Sequence, residues 1–133
     1  MNISTIQIPG LSRCLVVEDN EARHEWFREN LPGCSIAESP QIALEILKIN
    51  QNWDIIFLDH DCHGRFFVEP TDPEFLNRTF WQVAQHLHRI EFPGQIVIHS
   101  GNPVGAKRME ALLGSKCKVA VIPFGMFDIE VIQ

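Results

Sequence analysis

A short apolar run that ends in alternating acids and imidazoles constrains this chain more than any other feature of its sequence. Ile55–Leu58 is an unbroken apolar run, and its length is typical of a strand covered on both faces in a parallel sheet. Asp59, His60 and Asp61 follow it directly. Because open parallel sheets bind ligands in the crevice at the carboxyl ends of their strands, these three polar side chains are predicted to lie at a ligand site.

The rest of the chain alternates short apolar runs with segments of helical period. Further strands are predicted at residues 13–17, 34–37, 95–98 and 118–122, of which 34–37 has the weakest pattern because it is only half apolar. Helices are predicted at residues 20–31, 39–49, 76–90 and 102–113, with 76–90 as one continuous helix. This alternation predicts a single α/β domain over residues 1–133, with a doubly wound parallel sheet of five strands and right-handed crossovers.

The two ends of the chain fall outside this alternation. Residues 1–12 contain a weakly alternating stretch that Pro9 and Gly10 interrupt, and both an extra edge strand and a loose arm fit it. Residues 126–133 form a tail that alternates apolar with mostly acidic residues, a pattern closer to a short strand than to a helix.

The net charge limits the classes of partner. With 11 basic and 17 acidic residues the formal charge is −6, which gives no electrostatic footprint for duplex nucleic acid or an anionic membrane. No apolar run approaches the ~20 residues of a membrane-spanning helix and the first residues lack a signal-peptide pattern, so a cytoplasmic protein is predicted. The 4 cysteines have no CxxC spacing, so neither a disulfide framework nor a structural zinc site is expected.

Three predicted strands end in polar residues, namely Glu18-Asp19, Asp59-His60-Asp61 and His99-Ser100. The topology brings these ends to one edge of the sheet. Two carboxylates about 4 Å apart repel by roughly 4 kcal/mol at an effective dielectric near 20, so they need a shared cation or shared protons. A hard divalent ion such as Mg²⁺, bound by Glu18, Asp19, Asp59 and Asp61, meets that need. The alternative is that these acids only cap the helices that follow.

Two histidines in this constellation are candidates for moving protons. Imidazole titrates near neutral pH, and His60 and His99 both lie beside the predicted metal ligands. One would activate water or a ribose hydroxyl while the other protonates the leaving oxygen. The alternative for His99 is a buried histidine that donates to a neighbouring backbone carbonyl.

Four segments resemble those of a response-regulator receiver domain in order and spacing: Leu15-Val-Val-Glu-Asp19, Ile55-Ile-Phe-Leu-Asp59, Ile96-Val-Ile-His-Ser100 and Val119-Ala-Val-Ile-Pro-Phe124. The resemblance covers residues 13–125 and implies a flavodoxin-like sheet of order 2-1-3-4-5. It also implies Mg²⁺ binding by Glu18 and Asp19, a phosphoacceptor position at Asp59 and a phosphate contact from Ser100. The chain departs from the family at Ile122, where receivers carry a lysine, and in the last helix, which is missing or replaced by a short strand.

Two motifs point to a particular subgroup of receiver-like domains. Leu58-Asp-His-Asp61 and His99-Ser-Gly-Asn-Pro103 resemble the signature of a divergent receiver-like group thought to process cyclic phosphates. The resemblance implies a small phosphorylated or cyclic-phosphate ligand. Together with the proton-transfer argument, it gives the candidate catalytic set as Asp59, His60, His99 and Ser100.

The helix start after the fourth core strand is a candidate phosphate site. Free backbone N–H groups near Gly101 and the amide of Asn102 can bind an anion, and Lys107 or Arg108 would supply the cation that Ile122 cannot. The alternative is that Asn102 is an ordinary N-cap and that the two cations are solvated.

Other polar residues are weaker candidates. His63 and Arg65 lie on the loop after Asp61 and are placed to touch a substrate, whereas His86 and His88 are expected to face solvent. A zinc site built from His60, Cys62 and His63 is a minor alternative.

The sequence leaves three functions open. The first is a metal-dependent phosphoesterase acting on a cyclic phosphate, and its rival is a non-catalytic pseudo-receiver that binds a partner or small ligand. The third is a phosphorylatable receiver that uses an unusual cation. A homodimer through the tail and the fifth core strand is also expected, because a strand in place of the last helix would leave apolar surface uncovered.

Overall fold

The computed structural model describes residues 3–62, 65 and 67–133. The strands are β1 (Ser4–Pro9), β2 (Cys14–Val17), β3 (Ser35–Ala37), β4 (Ile55–Leu58), β5 (Gln95–Ile98), β6 (Lys118–Val121) and β7 (Phe127–Ile132). The helices are α1 (Glu21–Asn30), α2 (Pro40–Ile49), α3 (Phe75–Arg78), α4 (Trp81–Arg89) and α5 (Pro103–Leu113).

A parallel sheet of five strands forms the centre of the molecule, in the order β3-β2-β4-β5-β6. Numbered without β1, this is the predicted order 2-1-3-4-5, so the doubly wound α/β fold is confirmed. The register matters for function. Val17 pairs with Leu58, and Leu58 pairs with Ile98. The next residue on each strand therefore leaves the sheet at the same level.

The helices begin where the sequence places polar caps. The side chains of Asn20, Ser39 and Asn102 accept hydrogen bonds from the first turns of α1, α2 and α5. Pro40 and Pro103 occupy the first turn of their helices, where a missing N–H costs no hydrogen bond. These two cap-and-proline pairs confirm the predicted helix starts.

The central strands are buried on both faces and separate two clusters of buried side chains. On one face Leu15, Ile56 and Ile96 pack against α2, α4 and α5. On the other face Val16 and Phe57 pack with residues of α1 and of the two terminal strands. Phe57 is fully buried, and burying such a side chain contributes about 1.5–3 kcal/mol. Burial on both faces explains why these strands are apolar without alternation.

The predicted continuous helix over 76–90 is wrong, because the chain leaves helical geometry between α3 and α4. Thr79 forms an antiparallel bridge with Asp61, and the Phe80 N–H donates to the His60 carbonyl at 2.7 Å. Pairing with the extended segment after β4 removes these two residues from the helix. The residues at this break therefore hold the backbone of His60 and Asp61, which follow β4, in place.

The N-terminal stretch and the tail pair with each other. β1 and β7 form a separate parallel sheet of two strands, in which Ser4 pairs with Phe127 and Pro9 with Ile132. Ile8 and Phe127 are buried in the cluster that contains Phe57. The tail is thus a strand where receivers have their last helix. β1 and β7 cover part of the face on which the homodimer prediction rests, so that prediction gains no support from the fold.

Candidate functional site

Three consecutive strands of the sheet deliver one polar residue each to the same point. Glu18, Asp59 and His99 follow β2, β4 and β5, and all three are buried. One ligand atom from each lies within 4.8 Å of the others. The predicted convergence at the carboxyl edge is therefore present, and it follows from the register of the strands.

Glu18 is held by four donors. Its Oε1 lies 3.0 Å from His99 Nε2 and accepts a 3.1 Å bond from Arg23 Nη1. Its Oε2 accepts the backbone N–H groups of Asp19 and Asn20, at 3.0 and 3.2 Å. Burial acts to raise the pKa of Glu18, but its interactions with His99, Asp59 and Arg23 outweigh burial. The net pKa lies well below the ordinary range, so Glu18 is ionised.

The pKa of Asp59 is shifted in the opposite direction from that of Glu18. Its burial and the charge of Glu18 raise the pKa of Asp59 well above its usual range, against the weaker effects of the His60 N–H and Arg23. The His60 N–H donates to Asp59 Oδ1 at 2.8 Å. Without a metal ion, the raised pKa favours the protonated form of Asp59 beside an ionised Glu18.

Arg23 is the cation of this site, and the sequence analysis did not identify it. Its Nη1 lies 3.1 Å from Glu18 Oε1 and 3.8 Å from Asp59 Oδ2. Its guanidinium carbon lies 4.7 Å from the centre of the Phe124 ring. In the sequence, this role could have been inferred from the position of Arg23 in the first turn of the helix after β2, because a long side chain there can reach back to Glu18.

A cavity of about 110 Å³ opens at this edge of the sheet. Its lining residues are Glu18, Asp19, Asn20, Arg23, Asp59, Asp61, Arg65, Phe67, Gly101 and Asn102. Four acidic residues, two arginines and two residues that precede α5 thus line one small volume. The cavity is far below the roughly 300–1,000 Å³ of sites that enclose drug-sized ligands, so it suits an ion and a phosphate group.

The two histidines lie behind the cavity. His60 and His99 are completely buried and are not among its lining residues. His60 Nδ1 lies 2.9 Å from Asp61 Oδ1, while His60 Nε2 and His99 Nδ1 have no hydrogen-bond partner among the described residues. A Cβ atom on Gly105 would lie 2.6 Å from the His60 ring, so only glycine lets α5 approach it. Each imidazole lies within hydrogen-bond distance of a carboxylate, His60 of Asp61 and His99 of Glu18.

The Asp61 carboxylate holds the loop segment of Phe67 and Val68 in place through hydrogen bonds. Its Oδ1 lies 2.9 Å from His60 Nδ1 and accepts bonds from the Val68 N–H and Asn102 Nδ2, at 3.0 and 3.3 Å. Its Oδ2 accepts the Phe67 N–H at 3.2 Å. The predicted metal role of Asp61 thus competes with four structural contacts, although its side chain lines the cavity.

Two of the four residues predicted to bind phosphate line the cavity, and two do not. Gly101 and Asn102 line the cavity, and Asn102 also caps α5 through a 3.0 Å bond from the Gly105 N–H. Ser100 is buried, and its Oγ accepts the Asn102 N–H at 3.0 Å. Lys107 is exposed and does not line the cavity.

Three further predictions have different outcomes. Arg65 lines the cavity, whereas His63 lies outside the described residues. The expectation that His86 faces solvent is wrong: it is buried, and burial together with the charges of Arg89 and Lys48 lowers its pKa. Burial, with the charge of Asp19 next, raises the pKa of the Cys62 thiol to about 12, which disfavours a zinc thiolate there.

A family model described as the cyclic-phosphate processing receiver domain matches residues 14–115. The chain belongs to this family. The matched span begins with β2 and includes the three site-bearing strand ends and α5.

Solved structures give the same fold. The receiver domain of the Francisella response regulator 1452 aligns with a TM-score of 0.54 at 16% identity, covering 83% of both chains. The N-terminal domain of a response regulator/sensory box/GGDEF 3-domain protein from Carboxydothermus hydrogenoformans aligns with a TM-score of 0.54 at 18% identity, covering 83% of this chain and 80% of that chain. At such low identity these likenesses concern the fold alone. A comparison with curated proteins gives no match.

The donor set of this receiver domain fits a hard divalent cation. Glu18 and Asp59 present buried carboxylates, and Asp19 lines the same cavity. Mg²⁺ prefers oxygen ligands and retains several waters, which the open side of the cavity can accommodate. The bond between His99 and Glu18 resembles the support that an outer group gives to a ligating carboxylate. None of the described helices has the length and apolar character needed to cross a bilayer.

Proposed function

We propose that this receiver domain hydrolyses a small phosphoester, with a cyclic phosphate as the substrate class, using a divalent ion such as Mg²⁺. The observation that carries the proposal is one small cavity that is lined by Arg23 and Arg65 as well as by Glu18, Asp19 and Asp59. Carboxylates alone would suit a cation, and arginines alone would suit an anion. Both together suit a metal ion that shares a phosphate with two guanidinium groups.

Each residue has a role that its contacts support. Glu18 and Asp59 are the proposed metal ligands, with Asp19 beside them, and Asp61 is kept as a candidate at the rim. Arg23, Arg65 and the N–H groups near Gly101 are proposed to bind phosphoryl oxygens. When bound, the ion supplies Lewis acidity toward a phosphoryl oxygen and lowers the pKa of a bound water.

The proposed reaction opens a cyclic diester to a monoester. Water attacks phosphorus, one P–O ester bond breaks, and a proton returns to the leaving oxygen. Asp59 would have to be ionised to accept the proton of water, and a bound metal ion would favour that form over the protonated one. His60 and His99 are proposed as positioning residues, because both are fully buried and reach the cavity only through Asp61 and Glu18.

The test is metal-dependent turnover. A 2′,3′-cyclic nucleotide should be hydrolysed with Mg²⁺ and not after chelation, with the product followed by phosphorus NMR. Asp59→Asn should lose at least about a hundredfold in rate, whereas the exposed tail variant Asp128→Asn should match the parent. Absence of metal-dependent turnover in the parent chain would contradict the proposal.

The second candidate is a non-catalytic pseudo-receiver. The favouring observation is that Arg23 Nη1 already lies 3.1 Å from Glu18 Oε1 and 3.8 Å from Asp59 Oδ2, where a metal ion would have to bind, while Ile122 stands where receivers carry a lysine. This candidate predicts metal and phosphate binding without turnover. A homodimer through β6 and the tail, and a cytoplasmic location, stay predictions from the sequence.

A further inference from the structure

Arg23 contacts the residues that a metal ion would need. Its Nη1 bonds to Glu18 Oε1, the same oxygen that His99 approaches, and lies 3.8 Å from Asp59 Oδ2. A divalent ion held by the Glu18 and Asp59 carboxylates would therefore lie next to the guanidinium. Two cations at that distance repel in a partly buried site, so the ion and Arg23 compete for the same carboxylates.

Arg23 does not have to leave the cavity when it loses these partners. Its guanidinium also stacks on Phe124, at 4.7 Å from the ring centre. Phe124 is itself fixed, because its N–H donates to the His99 carbonyl at 2.8 Å and its ring packs against Trp26 and Phe27. The ring provides a support on which the cation can stay while its hydrogen-bond partners change.

We propose that Arg23 is an exchangeable cation: it pairs with Glu18, beside Asp59, in the metal-free protein, and it binds phosphoryl oxygens when a metal ion takes those two carboxyl groups. Arg23 on α1 thereby provides the charge that Ile122 lacks after β6. Metal and phosphate then bind cooperatively, because each removes a competitor of the other. The inference rests on the metal and phosphate binding of the proposed function, but not on turnover.

Calorimetric titration of the full chain with Mg²⁺ and with inorganic phosphate tests this. In the parent, Mg²⁺ should strengthen phosphate binding. In Arg23→Gln, Mg²⁺ alone should bind at least about threefold more tightly, since its competitor is gone. Phosphate should bind about tenfold more weakly in the presence of Mg²⁺, and the coupling should disappear.

Arg28→Gln is the matched control, because Arg28 lies on the same helix, is exposed and does not line the cavity. Arg23→Lys keeps the charge and should retain part of the coupling, which protects the test against misfolding of Arg23→Gln. Both affinities within twofold of the parent in Arg23→Gln, or no Mg²⁺ binding by the parent, would overturn the proposal. Coupled binding without any turnover would contradict only the proposed reaction.

A separate observation concerns the mouth of the cavity. Phe67 is 62% exposed and has a left-handed φ of 54°. The bonds from the Phe67 and Val68 N–H groups to Asp61 hold this segment in place. Phe67 and Arg65 line both the 110 Å³ cavity and a neighbouring one of about 420 Å³, which Arg78 also lines.

The geometry points to the larger cavity as a second subsite, in which the base of a nucleoside phosphoester stacks on Phe67. The small cavity has room for the phosphate but not for a nucleoside, so the rest of the ester must extend past the shared residues. An exposed ring face offers stacking to any base, and Arg65 lies between the two cavities where it can contact the phosphate. This subsite also rests on the proposed function, because it needs a phosphate in the first cavity.

Binding of adenosine 2′,3′-cyclic phosphate and of ethylene phosphate, the same ring without a nucleoside, tests the subsite. The nucleotide should bind at least about tenfold more tightly to the parent, Phe67→Ala should remove the preference, and Phe67→Trp should keep it. Leu76→Ala is the control, since Leu76 is exposed and lines neither cavity. Equal affinities in the parent, or an unchanged preference in Phe67→Ala, would overturn the subsite, while binding without hydrolysis would count only against the reaction.

Discussion

His99 Nε2 lies 3.0 Å from Glu18 Oε1, although the two residues are 81 positions apart in the chain. The contact exists because β2 and β5 flank β4 in register, so their following residues meet. Both side chains are buried, and the other ring nitrogen of His99 has no partner among the described residues. His99 therefore orients a predicted metal ligand from behind.

Replacing His99 with alanine should weaken metal binding before it affects the substrate. Glu18 would lose its buried donor, and loss of such a supporting group typically lowers metal affinity 10–100-fold, so we expect about tenfold. The free energy of unfolding should fall by about 1–3 kcal/mol, because Glu18 keeps its charge with one partner fewer. Mg²⁺ titration and urea denaturation measure the two effects, with His88→Ala as control. Unchanged metal affinity would contradict the positioning role.

Asp59→Asn should stabilise the metal-free protein. The pKa of Asp59 is raised in the folded state, so folding favours the protonated form, and stability is lost as the pH rises from the ordinary range near 4 toward the raised value. Asparagine has no such charge, so we expect a gain of about 1–2 kcal/mol at pH 7 in the presence of a chelator. Glu18 acts in the opposite direction, because its lowered pKa adds stability that is lost only in acid.

Urea denaturation at several pH values distinguishes these contributions. The parent curve should fall between acidic and neutral pH, and the Asp59→Asn curve should be flatter. Saturating Mg²⁺ should stabilise the parent and have little effect on the variant. An Asp59→Asn protein that is less stable than the parent at pH 7 would show that Asp59 is ionised and well paired instead.

Gly105→Ala should destabilise the fold through His60. Alanine ordinarily favours a helix over glycine by about 1 kcal/mol, but here the added Cβ would lie 2.6 Å from the ring of His60. Overpacking of this kind costs about 1–3 kcal/mol, so a net loss is expected. Gly101→Ala is the matched control, because a Cβ there meets no atom within 4 Å and should change the unfolding free energy by less than about 0.5 kcal/mol. Equal thermal stability of the two variants would refute the packing argument.

Asp61→Ala should loosen the loop at the mouth of the cavity. The variant removes the acceptor of the Phe67 and Val68 N–H groups, so hydrogen exchange of those two amides should accelerate. Loss of these bonds should lower the unfolding free energy by about 1–3 kcal/mol. The Ile42 N–H, which bonds to Ser39, serves as an internal reference and should keep its exchange rate.

The strands and the convergence of the acids could be predicted from the apolar runs and the rule for parallel strand ends, and the strand order followed from the resemblance to receiver domains. The role of Arg23 could not, because it depends on a side-chain conformation that the sequence pattern does not determine. The depth of His60 depends on how closely α5 approaches the sheet, and that of His99 on packing against Phe27 and Phe124. The helix break at Thr79 results from pairing with Asp61, and such tertiary pairing overrides helical period.

The pairing of β1 with β7 was also beyond local signals, since it joins the two ends of the chain. It leads to the last prediction: removal of residues 1–9 should destabilise the protein and make it self-associate. The deletion leaves β7 without its partner strand and removes Ile8, which is 3% exposed, from the cluster around Phe57 and Phe127. Unpaired strand edges recruit other chains, and loss of a buried isoleucine alone costs about 2–5 kcal/mol.

Light scattering at micromolar concentration should detect dimers or larger species for the deletion, while Ile3→Ala, which alters an exposed residue of the same segment, should behave as the parent. A parent that is already dimeric would support the homodimer predicted from the tail, and a deletion variant that stays monomeric and stable would show that β1 does not protect this face.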